Sequence, residues 1–267
     1  MARITSVLQF EGSVGELSAY KQKGSDKIIL RTKGGASKRK IASSPRFALV
    51  RRNNKEFGGC SKLGAGIRGA TIGLSFLADY NLSSPLNAIA KTIQKTNVVD
   101  ELGKRPVLLS LNKDMIVGFN FNRQLLLDSV LRFPLQVTID RENRSAQITI
   151  PRIIPEINFK QYGTNTMFRL VASLGFVSDM VFDEDFNQYT PSNKEVHGKC
   201  VCEFGQWHTV REVVDEQQIV LQYPSGVVLT EQDTIVVAFG IAFGNPLSDS
   251  VVAKARYAGC AKIVGVG

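Results

Sequence analysis

The second half of the chain is dominated by short segments in which apolar and polar residues alternate. The alternation is strict in 135–140 and 146–150, and the polar turn between them completes a predicted β-hairpin. Loops rich in Asn, Asp, Gly and Pro separate further predicted strands over 153–159, 167–174, 176–182, 199–204, 218–223, 234–243 and 260–266. This series is typical of an antiparallel β-sandwich.

The middle of the chain carries helix signals instead. A Ser-Pro pair at 44–45 predicts a capped helix over 46–57, and the Gly58-Gly59 pair predicts its end. The same pair recurs at 84–85 and predicts a helix from 86 to about 99. Its apolar residues are expected on one face: Leu86, Ile89, Ala90 and Ile93.

Four glycines lie between these two helices, at Gly64, Gly66, Gly69 and Gly73, among regularly spaced leucines and isoleucines. A glycine in a helix costs about 1 kcal/mol relative to alanine. We therefore expect another part of the backbone to approach this segment closely.

The first quarter of the chain is short, glycine-punctuated and basic. Segments 17–20 and 27–31 predict a β-hairpin with a turn over 23–26. Residues 1–70 hold fifteen Lys and Arg but four Asp and Glu, an excess of eleven, whereas the whole chain carries a formal net charge of +9. The remainder is therefore slightly acidic, and the asymmetry indicates an N-terminal module that faces a polyanion or an acidic partner.

The candidate binding residues are the cations that lead into and occupy the first predicted helix. Arg51 and Lys55 are one helical turn apart and are expected to share a face, with Arg52 beside them. Nucleic acid, an acidic protein surface and plain solvation all fit this pattern, because the positive charge indicates only that a partner would be negatively charged. The full set is Lys38, Arg39, Lys40, Arg46, Arg51, Arg52 and Lys55.

No assembled catalytic constellation is visible in the sequence. The glycine pairs lack the Lys-Ser/Thr that a phosphate loop needs, and no Gly-x-Ser-x-Gly elbow accompanies the two histidines, His197 and His208. The acidic residues around Phe182 lack the glycine and the final glutamate of a calcium loop, so a solvated turn is expected. We therefore expect a non-enzymatic protein without a metal or another cofactor.

The four cysteines do not indicate a disulfide scaffold. Cys200 and Cys202 would place both thiols on one face of a strand, and ordinary reduced thiols are favoured over metal or redox use. The N-terminus shows no signal peptide, and the most apolar stretch, 235–243, is far too short to span a bilayer. A cytoplasmic location is expected.

Three stretches of the chain carry a resemblance to a known family. They are Gly12-x-x-Gly15-x-Leu17-x-x-Tyr20-Lys21 with Arg31-x-Lys33-Gly34, then Ser44-Pro45-x-Phe47-x-x-x-Arg51-x-Asn53-x-x-Glu56-Phe57-Gly58, then Phe168-Arg169-Leu170-Val171-Ala172. Together they resemble an uncharacterised protein family of unknown function that is common in Bacteroidota. The resemblance implies a basic glycine-rich N-terminus, a helical middle and a β-rich C-terminal half, and it brings no reaction, cofactor or catalytic residue. The pattern around Glu56 suggests a polar network on one helix.

The sequence thus predicts an α+β protein with a basic N-terminal hairpin unit, a small helical segment and a C-terminal antiparallel β-sandwich. The expected domains are 1–105 and 106–267. The leading hypothesis is a structural or interaction protein that forms homo-oligomers. The alternatives are a nucleic-acid-binding protein that uses the basic segment 21–68, and a ligand- or carbohydrate-binding sandwich around Trp207 and Tyr223.

Overall fold

The computed structural model describes residues 2–3, 10–21, 28–224, 226–248 and 251–267, except the side chains of 2–3 and 256–257. The chain forms two compact units, Met1–Arg51 and Arg52–Gly267. The expected domain boundary near residue 105 falls inside the second unit and, as a boundary between independently folding parts, stays a prediction.

Helices and antiparallel strands are both well represented, which confirms the predicted α+β class with a β-rich second half. The α-helices are α1 (Lys38–Ser43), α2 (Ala48–Ala70), α3 (Ser83–Thr96) and α4 (Leu127–Val130), with 3-10 helices at Pro45–Phe47, Ile72–Leu77 and Lys113–Ile116. The strands are β1 (Ala2–Arg3), β2 (Gly12–Val14), β3 (Leu17–Lys21), β4 (Ile28–Thr32), β5 (Gln136–Asp140), β6 (Ser145–Ile150), β7 (Met167–Ser178), β8 (Met180–Asp183), β9 (Gln188–Pro191), β10 (Cys200–Phe204), β11 (His208–Thr209), β12 (Gln217–Gln222), β13 (Asp233–Ser248) and β14 (Val251–Val266).

The first unit contains a four-stranded antiparallel sheet in the order β1-β4-β3-β2. β3 pairs with β4 from Leu17 opposite Thr32 to Lys21 opposite Ile28, which confirms the N-terminal hairpin. The expected turn at 23–26 lies outside the described residues. Helix α1 follows, with the Ser37 hydroxyl accepting a hydrogen bond from the Lys40 amide at its start.

Helix α2 corrects the predicted helix boundaries. It continues through Gly58 and Gly59 to Ala70, because Cys60, Leu63 and Ile67 bury their side chains beyond the glycines and this packing outweighs the low helix propensity. Ser44 does not cap it, since a 3-10 turn precedes the helix and that hydroxyl makes no capping bond. None of the described helices combines the length and apolar character needed to cross a membrane.

Helix α3 starts earlier and ends earlier than predicted. The Asn81 side-chain oxygen accepts a hydrogen bond from the Ser83 amide, so the first turn already includes Ser83. The predicted face is confirmed, because Leu86, Ala90 and Ile93 are buried.

The second unit is built around a five-stranded sheet, in which four strands lie in the order β10-β7-β13-β14. The fifth strand, β11, pairs with β7 on the same side as β10. The β5–β6 hairpin is confirmed and forms a three-stranded sheet with β12. Two predictions are wrong. The predicted strand over 153–159 makes isolated bridges only. The predicted break between 174 and 176 is absent, because β7 continues through Gly175, which pairs with β10 on one side and with β13 on the other.

Alternate residues of β7 and β13 point to opposite faces of this large sheet. On one face, Leu174, Phe176 and Phe239 pack with Ile148 of the three-stranded sheet. On the other face, smaller residues such as Ala238 lie against the helices, together with Leu63 and Ile67 of α2. The large sheet is therefore enclosed between a sheet and a helical layer.

Of the four glycines predicted to meet another backbone, only Gly69 does so, while Gly64, Gly66 and Gly73 meet side chains first. A Cβ on Gly69 would lie 2.7 Å from the backbone oxygen of Gly198, and a Cβ on Gly59 would lie 2.7 Å from the Tyr189 ring. On the sheet side, a Cβ on Gly175 would collide with the backbone of Ala70. Helix and sheet thus meet with glycine on both surfaces.

The outer edge of β14 is partly covered by the chain segment 118–121. The Gly118 amide donates to the Ile263 oxygen (2.9 Å), the Ile263 amide donates to the Phe119 oxygen (3.0 Å), and the Phe121 amide donates to the Ala261 oxygen (2.8 Å). This segment therefore supplies backbone partners where the sheet would otherwise end.

The substitution Gly69→Ala is expected to lower the free energy of unfolding by about 1–3 kcal/mol, because the new methyl group meets backbone atoms that cannot rotate away. The matched control is Gly58→Ala in the same helix. Nothing lies within 4 Å of its Cβ position, so we expect stabilisation by about 0.5–1 kcal/mol. Chemical denaturation followed by Trp207 fluorescence measures both, and equal effects of the two substitutions would contradict the close approach.

Candidate interaction surfaces

Four of the seven candidate cations are exposed and make no hydrogen bond or ion pair through their side chains to any described residue. We call Lys38, Arg39, Lys40 and Arg46 the basic tip. Neither α1 nor the 3-10 helix Pro45–Phe47 has a buried residue. These charges therefore remain available to an anionic partner.

Arg51 has a different role from the one its position predicts. Its guanidinium donates to the backbone oxygens of Ile41 (2.7 Å) and Ser44 (2.8 Å). It thus satisfies carbonyl groups at the C-terminal end of α1, which have no partners within the helix. Arg51 fixes the geometry of the segment that presents the basic tip.

Arg52 and Lys55 are exposed but already have partners in the second unit. The Arg52 guanidinium lies 3.6 Å from a Glu101 carboxylate oxygen. Lys55 donates to the Asn187 side-chain oxygen (2.6 Å), and its ammonium lies 5.4 Å from the centre of the Phe182 ring. The three helical cations are therefore less available than the sequence indicates.

Glu56 forms the buried centre of a polar network, but its partners are not the Arg51 and Asn53 of the predicted one-helix pattern. Its two carboxylate oxygens accept from Arg105 (2.7 Å each), from Lys91 (2.8 Å) and from the Gly103 amide (2.9 Å). Burial alone raises the pKa of Glu56, but these hydrogen bonds outweigh it and lower the pKa to about 2. The partners come from distant parts of the sequence, which helix spacing does not reveal.

His197 and two residues of the predicted acidic turn, Asp179 and Glu184, bind neighbouring groups of the fold. Burial lowers the pKa of His197, and its Nδ1 accepts from the Ser178 amide (3.2 Å). Asp179 is buried and accepts from Ser110, while Glu184 pairs with Lys104 at 2.7 Å. Within the described part of the chain, no three potential metal ligands come together.

Cys200 and Cys202 share one face of β10, as predicted, with their sulfur atoms 3.9 Å apart. The hydrogen bond from the Cys202 thiol lowers the pKa of Cys200 to about 7, and the backbone amides of Ile72 and Gly73 contribute. The same interaction, with burial, raises the pKa of Cys202. Gly73 leaves space for the Cys202 sulfur that a Cβ would fill.

Trp207 and Tyr223, the candidate carbohydrate-binding pair, lie on opposite faces of the large sheet. Tyr223 packs edge-on against Phe176, with ring centres 4.9 Å apart. Trp207 lies on the helix-facing side, where the Arg169 guanidinium is 4.8 Å from its ring centre. Sequence spacing does not reveal this contact, although Arg169 is the only charged residue of β7.

Comparison with protein-family models, curated proteins and solved structures gives no match to this chain. The resemblance to the Bacteroidota family therefore stays a prediction, and the functional argument depends on the chain's own geometry.

The Glu56 network predicts acid sensitivity. The pKa of the Glu56 carboxyl is about 2 in the folded chain, whereas its ordinary value is 4.5. This difference in pKa corresponds to about 3 kcal/mol of folding stability. Because the folded pKa is the lower one, this stability is complete above pH 4.5 and is lost as the pH falls towards 2. Glu56→Gln should therefore lower the free energy of unfolding by about 3 kcal/mol at pH 7.

Denaturant unfolding from pH 7 to pH 2.5 measures this effect. The curves of the wild type and of Glu56→Gln should converge as the pH falls. A constant difference between them would show that the carboxylate charge is not the stabilising group.

The cysteine pair predicts a selective thiol. Alkylation of Cys200 by iodoacetamide, followed by peptide mass spectrometry, should rise with a midpoint near pH 7, because the thiolate is the nucleophile. Cys202→Ala should move that midpoint upward by removing the donor. Cys260 is the internal control, because burial raises its pKa to about 12. A Cys200 midpoint near the ordinary value of 9.0 would contradict the interaction.

Proposed function

We propose that the chain is a non-enzymatic interaction protein that self-assembles through its basic N-terminal module. The observation that supports this proposal most strongly is the basic tip. Its two helical segments expose four cations that have no side-chain partner among the described residues, and neither segment has a buried residue. Short helices are marginal in water and normally gain their stability from packing. A partner surface would provide that packing and the missing negative charge.

A second copy of the chain offers suitable anions. Exposed carboxylates without an ion-pair partner among the described residues occur on the second unit at Glu195, Glu203 and Glu216. Residues 1–51 carry a formal excess of eight positive charges, so most of the chain's charge of +9 belongs to the first unit. Opposite charges on two copies favour association and set its orientation. In this proposal the assembly forms in the cytoplasm.

Nucleic acid is the alternative partner for the same basic segment, 21–68. Contacts to phosphate would come from the same cations and would bring little sequence specificity. The carbohydrate-binding alternative has less support, because Trp207 and Tyr223 do not share a surface.

The test replaces the four residues of the basic tip by glutamine: Lys38, Arg39, Lys40 and Arg46. Sedimentation velocity should show oligomers of the wild type at about 0.05 M salt, weaker association at about 0.5 M, and mainly monomers of the variant. The control makes the same change in net charge at four exposed cations of the second unit that have no side-chain partner in the described part of the chain: Lys95, Lys160, Lys194 and Arg211. This control should still assemble.

A wild type that stays monomeric at low salt and high concentration would overturn self-assembly. If such a monomer co-purifies with material that absorbs at 260 nm, and the basic-tip variant does not, the nucleic-acid alternative replaces the self-assembly proposal. Equal loss of assembly in both quadruple variants would show that net charge matters and not the basic tip.

A further inference from the structure

A cluster of aromatic rings and cations lies on the helix-facing side of the large sheet. Arg169 lies between Phe204 and Trp207, with its guanidinium carbon 4.8 Å from each ring centre. The Lys254 ammonium lies 4.7 Å from the centre of Phe76 and 5.8 Å from that of Phe204. The Phe76 and Phe204 rings are stacked with centres 6.4 Å apart. We call these five residues the aromatic–cation platform.

The fold assembles the platform from separate elements. Arg169, Phe204 and Lys254 lie on β7, β10 and β14, and Phe76 lies in the 3-10 helix Ile72–Leu77. Trp207 covers Gly244, whose Cβ position is 3.1 Å from the edge of the indole. Three of the five residues are thus held by strands of the large sheet, and Trp207 lies in the short connection between β10 and β11.

The two cations of the platform, Arg169 and Lys254, form no ion pair with any described residue. Among the described residues, none forms an ion pair or hydrogen bond with the Arg169 guanidinium, and its buried Nε has no partner. Burial lowers the pKa of Arg169. Lys254 is exposed and likewise has no carboxylate partner in the described chain. A guanidinium withdrawn from water is normally compensated by a carboxylate or phosphate.

The rings of the platform are partly open to solvent. Phe76 is 38% exposed and Phe204 is 41% exposed. A ligand with flat, apolar faces would cover these rings, and a ligand with anionic groups would neutralise the two cations.

We propose that the aromatic–cation platform binds single-stranded nucleic acid, with bases stacked on the rings and phosphates at Arg169 and Lys254. Among common ligands, a nucleic-acid strand repeats both features along its length. An acidic peptide without aromatic residues supplies charge but no stacking faces, and a neutral glycan supplies a stacking face without charge. This site is separate from the basic tip and does not depend on self-assembly.

The test uses Trp207, the only tryptophan of the chain, as an intrinsic reporter. Full-length protein is titrated with a fluorescently labelled oligothymidylate of about 16 nucleotides. Tryptophan quenching reports the platform, and anisotropy of the label reports binding anywhere. Both signals should give the same affinity.

The variants Phe204→Ala and Phe76→Ala should weaken binding by about 5- to 150-fold, as expected for the loss of one stacked base. The logarithm of affinity should fall with the logarithm of salt concentration at a slope near −1.4, because two cations neutralise phosphates at about −0.7 each. Lys254→Gln should make that slope shallower, to about −0.7, because one cation fewer neutralises a phosphate. The fold should be preserved because the Lys254 side chain is exposed.

Two controls separate this site from others. Phe186→Ala removes a 71% exposed ring outside the platform and should leave quenching unchanged. The quadruple variant of the basic tip should also retain quenching, so failure of self-assembly and failure of this site are distinguishable. Each variant is first shown by circular dichroism to unfold at the wild-type temperature.

Three results would overturn the proposal. One is no quenching and no anisotropy change at about 0.05 M salt. Another is an anisotropy change without quenching that the basic-tip variant abolishes, because binding would then belong to the basic segment. The third is equal quenching by polyglutamate, which would show that charge alone accounts for the effect.

Discussion

The contact between α2 and the large sheet determines where the other elements of the second unit lie. At the C-terminal end of α2 the contact is backbone against backbone, because Gly69 lies against Gly198 and Ala70 lies against Gly175. Such a contact tolerates no added methyl group, and close packing makes small volume changes costly. It also fixes the 3-10 helix that follows α2. Through that helix it positions Gly73 against Cys202 and Phe76 against Phe204.

Much of the second unit follows from local patterns, because strands and amphipathic helices have distinct periods. The β5–β6 hairpin and the apolar face of α3 are examples. The errors occur where tertiary contacts overrule local preference. The Gly58-Gly59 pair is a poor helix former, yet buried residues on its C-terminal side carry the helix through it. Gly175 interrupts the apolar run of β7 but is paired on both sides.

The candidate binding residues show the same limit of sequence reasoning. Charge identifies the basic segment, but whether a cation is available depends on partners such as Glu101 and Asn187, which lie far away in the sequence. The aromatic–cation platform joins residues from three strands and a 3-10 helix, and no spacing rule links them. The glycines of α2 were informative because their cost in a helix requires a structural explanation.

The segment 118–121 has a consequence for how copies of this chain can meet. An open sheet edge is a template on which another strand can add, and proteins often block such edges. Here the backbone groups of Ala261 and Ile263 are already occupied by Gly118, Phe119 and Phe121. Another strand therefore cannot add to β14 at Ala261 and Ile263, and at this position a second copy can meet the sheet only through side chains.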